Sequence, residues 1–132
     1  MLLSSAQIDS AEPWLSHLRK SRPANRVDSL SSAGTPGFCA PETSTGTLSS
    51  ASDVFSFGMI AYSLATGLRP FQDQLDGHVS PSEHIQKLLA QGQRPTVPSG
   101  NSEQWQTRLL DLAVQCWAQN AADRPTINDI KL

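Results

Sequence analysis

A chain of 132 residues, 38% hydrophobic and 17% charged with a net charge of −2, has the composition of one globular domain and lacks the positive excess that nucleic acid or an anionic membrane surface would attract. Its two cysteines, Cys39 and Cys116, stand far apart and give neither a CxxC metal or redox pair nor a disulfide framework, which fits a reducing, cytoplasmic setting. The opening MLLSS has no basic leader, and the longest apolar stretch, Val54 to Ala65, is too short to span a bilayer, so no membrane is expected as a partner.

Residues 1–32, rich in Ser, Ala and charge, read as an atypical or disordered segment. Trp14, Leu15 and Leu18 share one helical face after Ser10, enough for a short amphipathic turn if Pro13 lies in its first turn. HLRKSRPANR, residues 17–26, carries four cations and reads as a solvated segment rather than a binding patch. GTPGFCAPE, Gly34 to Glu42, has neither helical nor strand period; its glycines permit unusual dihedrals and its prolines each remove a backbone donor, which specifies a turn.

SDVFSFGMIAYSLATG predicts a helix with Ser52 as N-cap, Asp53 favoured by the positive end of the dipole and Gly67 as the stop. Its apolar residues lie all around the circumference, the pattern of a helix buried at the centre of its domain, and Gly58 inside it marks the close approach of another backbone. A second helix is expected from Ser80 as N-cap, with Pro81 first, Glu83 completing a capping box, Ile85, Leu88 and Leu89 as one apolar stripe, and Gly92 at the far end. A third follows Asn101 or Ser102, with Trp105, Leu109, Leu112, Ala113, Cys116 and Trp117 at helical spacing; Trp105, Leu112 and Trp117 are expected in the core. Thr126 and Asp129 in TIND open a fourth helix, which two turns of sequence leave short and which suggests a boundary further downstream. With no hairpin signal, the chain reads as mainly α. His78 and His84 have no nearby Cys or carboxylate at ligand spacing, so no metal site is expected.

GTPGFCAPE, SDVFSFGMIAYSLATGLRPF and CWAQNAADRP, in that order and spacing, resemble three landmarks of the helical C-terminal lobe of a eukaryotic-type protein kinase: the end of the activation segment with its A-P-E signature, the buried central helix, and the penultimate helix with the arginine after it. GTPGF before the A-P-E and the CW…RP ending are most similar to the tyrosine-kinase-like group, in particular the leucine-rich-repeat (Roco) serine/threonine kinases. The resemblance covers residues 33–132 and implies an incomplete kinase domain with no N-terminal β lobe. Phe55 departs from the more common tryptophan, and Ala121 stands where a proline is usual.

What the resemblance implies is residue-specific. Glu42 would pair with Arg124 and tie the activation segment to the helical base. Asp53, besides its dipole role, would accept hydrogen bonds from the catalytic-loop backbone. Thr35 would sit beside the catalytic aspartate, and Gly37, Phe38 and Cys39 would line the pocket for the residue next to the phosphoacceptor. Ser29, Ser31 and Ser32 fall where activation segments are phosphorylated. A longer parent would use ATP and Mg²⁺ to phosphorylate protein substrates. This sequence holds no GxGxxG, no strand lysine of the VAIK kind, no HRD and no DFG, so it is expected to supply no catalytic, cofactor or metal residue and to be inert alone. The alternative is a non-catalytic, pseudokinase-like helical module that binds a kinase or scaffold.

Overall fold

The computed structural model describes residues 34–74, 80–100 and 103–131. The expectations for Trp14, Leu15 and Leu18, for Ser29, Ser31 and Ser32, and for His78 lie outside the described residues. Three α-helices carry the fold: α1 (Ser50–Thr66), α2 (Pro81–Ala90) and α3 (Gln104–Cys116). Short 3-10 turns at Pro41–Thr45, Gln72–Gln74 and Ala121–Asp123 join them, and no strand occurs among the described residues. The principal packing is α1 against α3, while the Pro41–Thr45 turn rests on α2 and the Ala121–Asp123 turn on α1.

The N-cap of α1 lies three residues before the expected Ser52. Ser49 occupies the N-cap, and its N–H donates to the Ser52 hydroxyl at 3.2 Å. Ser52 is thus the third residue of a capping box rather than the cap itself. Gly67 ends the helix as expected, in the left-handed region at φ 70° with its N–H on Ser63 O at 2.9 Å. Val54, Phe55, Met59, Ala61, Tyr62 and Ala65 are buried, yet Ile60 is 48% and Leu64 65% exposed. The expected all-round burial therefore fails on one face. An apolar circumference reports an aptitude for burial; here α3 and the loops cover only part of it.

Gly58 faces α3, as its position inside a helix suggested. A Cβ there would stand 2.7 Å from Cys116 Cβ and 3.2 Å from the Ala113 carbonyl oxygen. Gly58→Ala gains roughly 1 kcal/mol of helix propensity, but overpacking against backbone costs about 1–3 kcal/mol. Chemical denaturation is expected to show a net loss of stability and a lower midpoint.

α2 begins at Pro81 with Ser80 at the cap position, but the Ser80 hydroxyl makes no capping bond and no box forms with exposed Glu83. Ser80 has φ −130° and ψ 86°, away from the usual cap geometry, so the proline sets the start. Gln91 caps the far end, and Gly92, at φ 79°, and Gln93 donate N–H bonds to Leu89 O and Leu88 O. Ile85, Leu88 and Leu89 are all buried.

α3 is capped by Glu103 rather than Asn101 or Ser102, and the Gln106 side chain explains why. Its Oε1 accepts from Glu103 N–H at 2.8 Å while its Nε2 donates to Ala65 O at 3.0 Å, binding the start of α3 to the end of α1. With Gln106 turned toward α1, Trp105 is 53% exposed and does not join the core expected of it. Leu112, Ala113, Cys116 and Trp117 do. TIND forms a turn rather than the expected fourth helix: the Asp129 carboxylate accepts from both the Thr126 N–H and hydroxyl, a local closure that competes with helix propagation.

Candidate functional site

The turn GTPGFCAPE is built from its own polar groups. Phe38 N–H donates to Thr35 O at 3.1 Å, and the Cys39 thiol lies 3.6 Å from the same oxygen. Gly37 has φ 88°, and a Cβ on it would press within 3.3 Å of Pro70, so glycine is required both by the dihedral and by the close packing of the turn on the loop after α1. The next residue of that loop, Phe71, is fully buried at φ 61°. Such a dihedral costs of order 1–3 kcal/mol in a bulky residue, comparable with the roughly 1.5–3 kcal/mol gained by burying a phenyl ring.

Past the buried Ala40 and Pro41 the backbone tightens into its 3-10 turn, whose carbonyls are satisfied by hydroxyls: Thr43 on Ala40 O at 2.6 Å, Ser44 on Pro41 O at 2.7 Å and Thr45 on Glu42 O at 2.7 Å. The turn presents Glu42 to Arg124, 82 positions later. Nη1 donates to Oε1 at 2.6 Å and Nη2 to Oε2 at 2.9 Å, a bidentate pair. The Ser52 hydroxyl donates to Oε1 at 2.9 Å, joining the cap of α1 to the same carboxylate. Arg124 spends its remaining donors on the carbonyls of Ala51, Ala118 and Gln119. Its side chain is 0% exposed, against 19% for Glu42. Burial pushes the Glu42 carboxyl up, but the Arg124 hydrogen bonds, its own backbone and Ser52 outweigh that and hold it below the ordinary glutamate value.

A second guanidinium completes the cluster. Arg94 lies 5.2 Å and Arg124 4.9 Å from the centroid of the Phe55 ring, within cation–π range. Arg94 also donates to Trp117 O, Gln93 O and Gln119 Oε1, each at 2.7 Å. It therefore fixes the stretch whose Ala118 and Gln119 carbonyls serve Arg124. Sequence reasoning missed Arg94, because a lone arginine before Pro95 carries no local signal. It also missed the second use of Ser52, although the Ser49–Ser52 spacing could have indicated the box.

Of the other expected residues, Thr35, Phe38 and Cys39 border an open depression of about 460 Å³ together with Gly34, Ser56 and Ile60. Gly37 does not line it, being buried toward Pro70. Asp53 is exposed in the first turn of α1, where the dipole favours it, and its carboxylate makes no hydrogen bond or ion pair among the described residues. No group of three or more His, Cys, Asp or Glu side chains among the described residues could hold a metal ion, and no described helix is long and apolar enough to cross a membrane.

Comparison with known proteins places these features. The family model for the protein kinase domain matches residues 17–131. A probable serine/threonine-protein kinase, roco5 of Dictyostelium discoideum, is 35% identical over 78 residues, 59% of this chain and 3% of its own length. The EPD1-interacting receptor-like cytoplasmic serine/threonine-protein kinase 5D of Gossypium barbadense is 33% identical over 105 residues, 74% of this chain and 23% of its own. A probably inactive leucine-rich repeat receptor-like protein kinase of Arabidopsis thaliana is 30% identical over 123 residues, 88% of this chain and 12% of its own. The chain thus spans between 3% and 23% of the length of these relatives.

Proposed function

The chain belongs to the protein kinase domain family, and on that footing we propose that it forms the substrate-facing helical part of a serine/threonine kinase and transfers no phosphoryl group by itself. The observation that carries this reading is the bidentate Glu42–Arg124 pair, which anchors the turn Gly34–Glu42 to the base of the helical layer. A turn that receives a protein substrate must be held in one geometry, because catalysis of phosphoryl transfer is mostly positioning and electrostatic stabilisation. Thr35, Phe38 and Cys39 would meet the substrate at the open depression, with Gly37 letting the turn sit close on Pro70; Ser29, Ser31 and Ser32 are the proposed phosphorylation positions.

ATP with Mg²⁺ supplies the transferred phosphoryl group in this family, and the aspartate of DFG and the catalytic-loop asparagine that hold the metal there have no counterpart in this sequence. The sequence likewise lacks the glycine-rich loop, the strand lysine, HRD and DFG. Phosphorylation of cytoplasmic protein substrates accordingly belongs, in this reading, to a longer protein. Incubating the purified chain with radiolabelled ATP, Mg²⁺ and a generic protein substrate is expected to give no incorporation above a no-protein control. Transfer that scales with chain concentration would overturn the inert reading.

The exposed Ile60 and Leu64 on α1 favour a second reading, a pseudokinase-like module that docks on a kinase or scaffold. Cooperative unfolding of a monomer would support the module. Dye binding to exposed apolar surface, with loss of near-ultraviolet dichroism, would support the catalytic-domain part.

A further inference from the structure

Arg69, Pro70, Phe71 and Gln72 form a tight turn, closed by the Gln72 N–H on Arg69 O at 3.1 Å and again by the Arg69 N–H on Gln72 Oε1 at 3.2 Å. Its third residue is left-handed, since Phe71 has φ 61°. Proline in the second position cannot take a positive φ, so of the standard turns only type II accommodates this pair. A type II turn ordinarily has glycine or asparagine in third place. Here a phenyl ring stands there, 0% exposed, in one core with Ala40, Phe55 and Ile85. An unstrained alternative lies one rotation away: turning the Pro70–Phe71 peptide by about half a turn gives a type I turn, with residue 71 at φ of about −90° and the Gln72 N–H still on Arg69 O.

The reason for the strained form is visible at Gly37. Pro70 O and Cβ lie 3.2 and 3.3 Å from where a Gly37 Cβ would stand, so the central carbonyl faces the bare Gly37 Cα. In the type I turn that oxygen would swing away. We propose that Phe71 is a positioning residue for the substrate-facing turn: in its left-handed state it keeps the Pro70 carbonyl against Gly37 and so holds the middle of Gly34–Glu42, and rotation of that one peptide releases it. The far end of the same turn is held separately, by Glu42 on Arg124. Glycine at position 71 would adopt the dihedral without strain but would leave the peptide free to rotate, whereas a ring locked in the core fixes the direction of the carbonyl. Phe38 packs against that same core, which brings the two loops together on both sides of Gly37. The proposal rests on the reading that Gly34–Glu42 meets the substrate, but the coupling itself joins two loops of this chain and needs no phosphoryl transfer.

The test uses the intact chain and two isomeric side chains at position 71. Leucine and isoleucine have the same atoms, but β-branching stiffens the side chain and disfavours a positive φ further. Phe71→Ile should therefore drive residue 71 out of the left-handed region more than Phe71→Leu does. The Phe38 N–H, which donates to Thr35 O, is expected to exchange at least about tenfold faster in Phe71→Ile than in Phe71→Leu. The Thr43 N–H, beside the Glu42 anchor, and the Tyr62 N–H in α1 should exchange alike in the two. Independently, the parent chain should show the strong nuclear Overhauser effect between Pro70 Hα and the Phe71 N–H that marks a type II central peptide, and Gly37→Ala, whose Cβ would meet Pro70 O, should weaken it. Equal Phe38 exchange in the two isomers would reduce Phe71 to a space-filling residue, and an unchanged Overhauser effect in Gly37→Ala would uncouple the loops; either result overturns the proposal. Should Phe71→Ile fail to fold, seen as lost Tyr62 protection, Gly37→Ala decides alone. Neither measurement involves a substrate, so loss of the coupling and loss of the substrate-facing reading are separate results.

Discussion

Arg124→Ala is expected to destabilise the chain by up to about 3–5 kcal/mol, because it removes the fully buried guanidinium and leaves the partly buried Glu42 carboxylate without its partner. The smaller value of about 0–1 kcal/mol typical of surface pairs does not apply, since the Arg124 side chain is 0% exposed and serves three backbone carbonyls besides Glu42. Glu42→Gln should cost less than Arg124→Ala, because a neutral amide still accepts from Ser52 and one guanidinium nitrogen. Replacing both partners by apolar residues, Glu42→Leu with Arg124→Met, should cost clearly less than the two single changes added together, because no charge is then stranded. Urea denaturation with the slope unchanged would measure each term, and additivity of the two single substitutions would show that the pair is not energetically coupled.

The same pair sets a pH dependence whose sign follows from the depressed Glu42 pKa. The folded carboxyl titrates below its unfolded value, so the stabilisation is present above the unfolded pKa of about 4.3 and is lost as pH falls through the folded value. Stability measured from pH 6 downward should begin to fall below about pH 4.3, and Glu42→Gln should flatten that part of the curve. A parallel loss in the variant would assign the acid sensitivity to other carboxylates.

What the sequence disclosed, and what it withheld, divides along physical lines. Signals that act within one turn of chain were legible: Gly67 at φ 70°, Pro81 at the head of α2 and the alternation that buries Leu112, Ala113 and Cys116 all appear where local rules put them. Gly58 was legible for a different reason, since a residue that weakens its own helix needs a neighbour to account for it, and Cys116 is that neighbour. Contacts between distant positions left no such mark. The Glu42–Arg124 pairing came from resemblance to a family, not from spacing, and Arg94 was missed because nothing beside it hints at Trp117 or Gln119. Trp105 and Ile60 expose the limit of periodicity: it tells which side chains share a face but not whether anything covers that face. In TIND, one carboxylate that fits a capping pattern also fits a closed turn, and the turn prevails.

Phe55→Ala is expected to be as damaging as loss of Arg124, at about 3–5 kcal/mol for a phenyl side chain removed from a core. The ring is 0% exposed and has two guanidiniums within 5.2 Å. Two like charges so close would repel, yet each is compensated from another direction: Arg124 by the Glu42 carboxylate, Arg94 by three oxygen acceptors and by its partial contact with solvent. The electron-rich ring face adds attraction to both, worth about 0.5–2 kcal/mol for each cation. Phe55→Leu separates that attraction from the loss of volume, since leucine fills much of the space but offers no quadrupole. If the ring acts through its charge distribution, Phe55→Leu should still cost about 1–2 kcal/mol beyond what a conservative core exchange does, and Arg94→Met should cost less in the Phe55→Leu background than in the parent chain. Equal costs of Arg94→Met in both backgrounds would reduce Phe55 to a space-filling residue and leave the hydrogen bonds of Arg94 and Arg124 as the whole cohesion of the cluster.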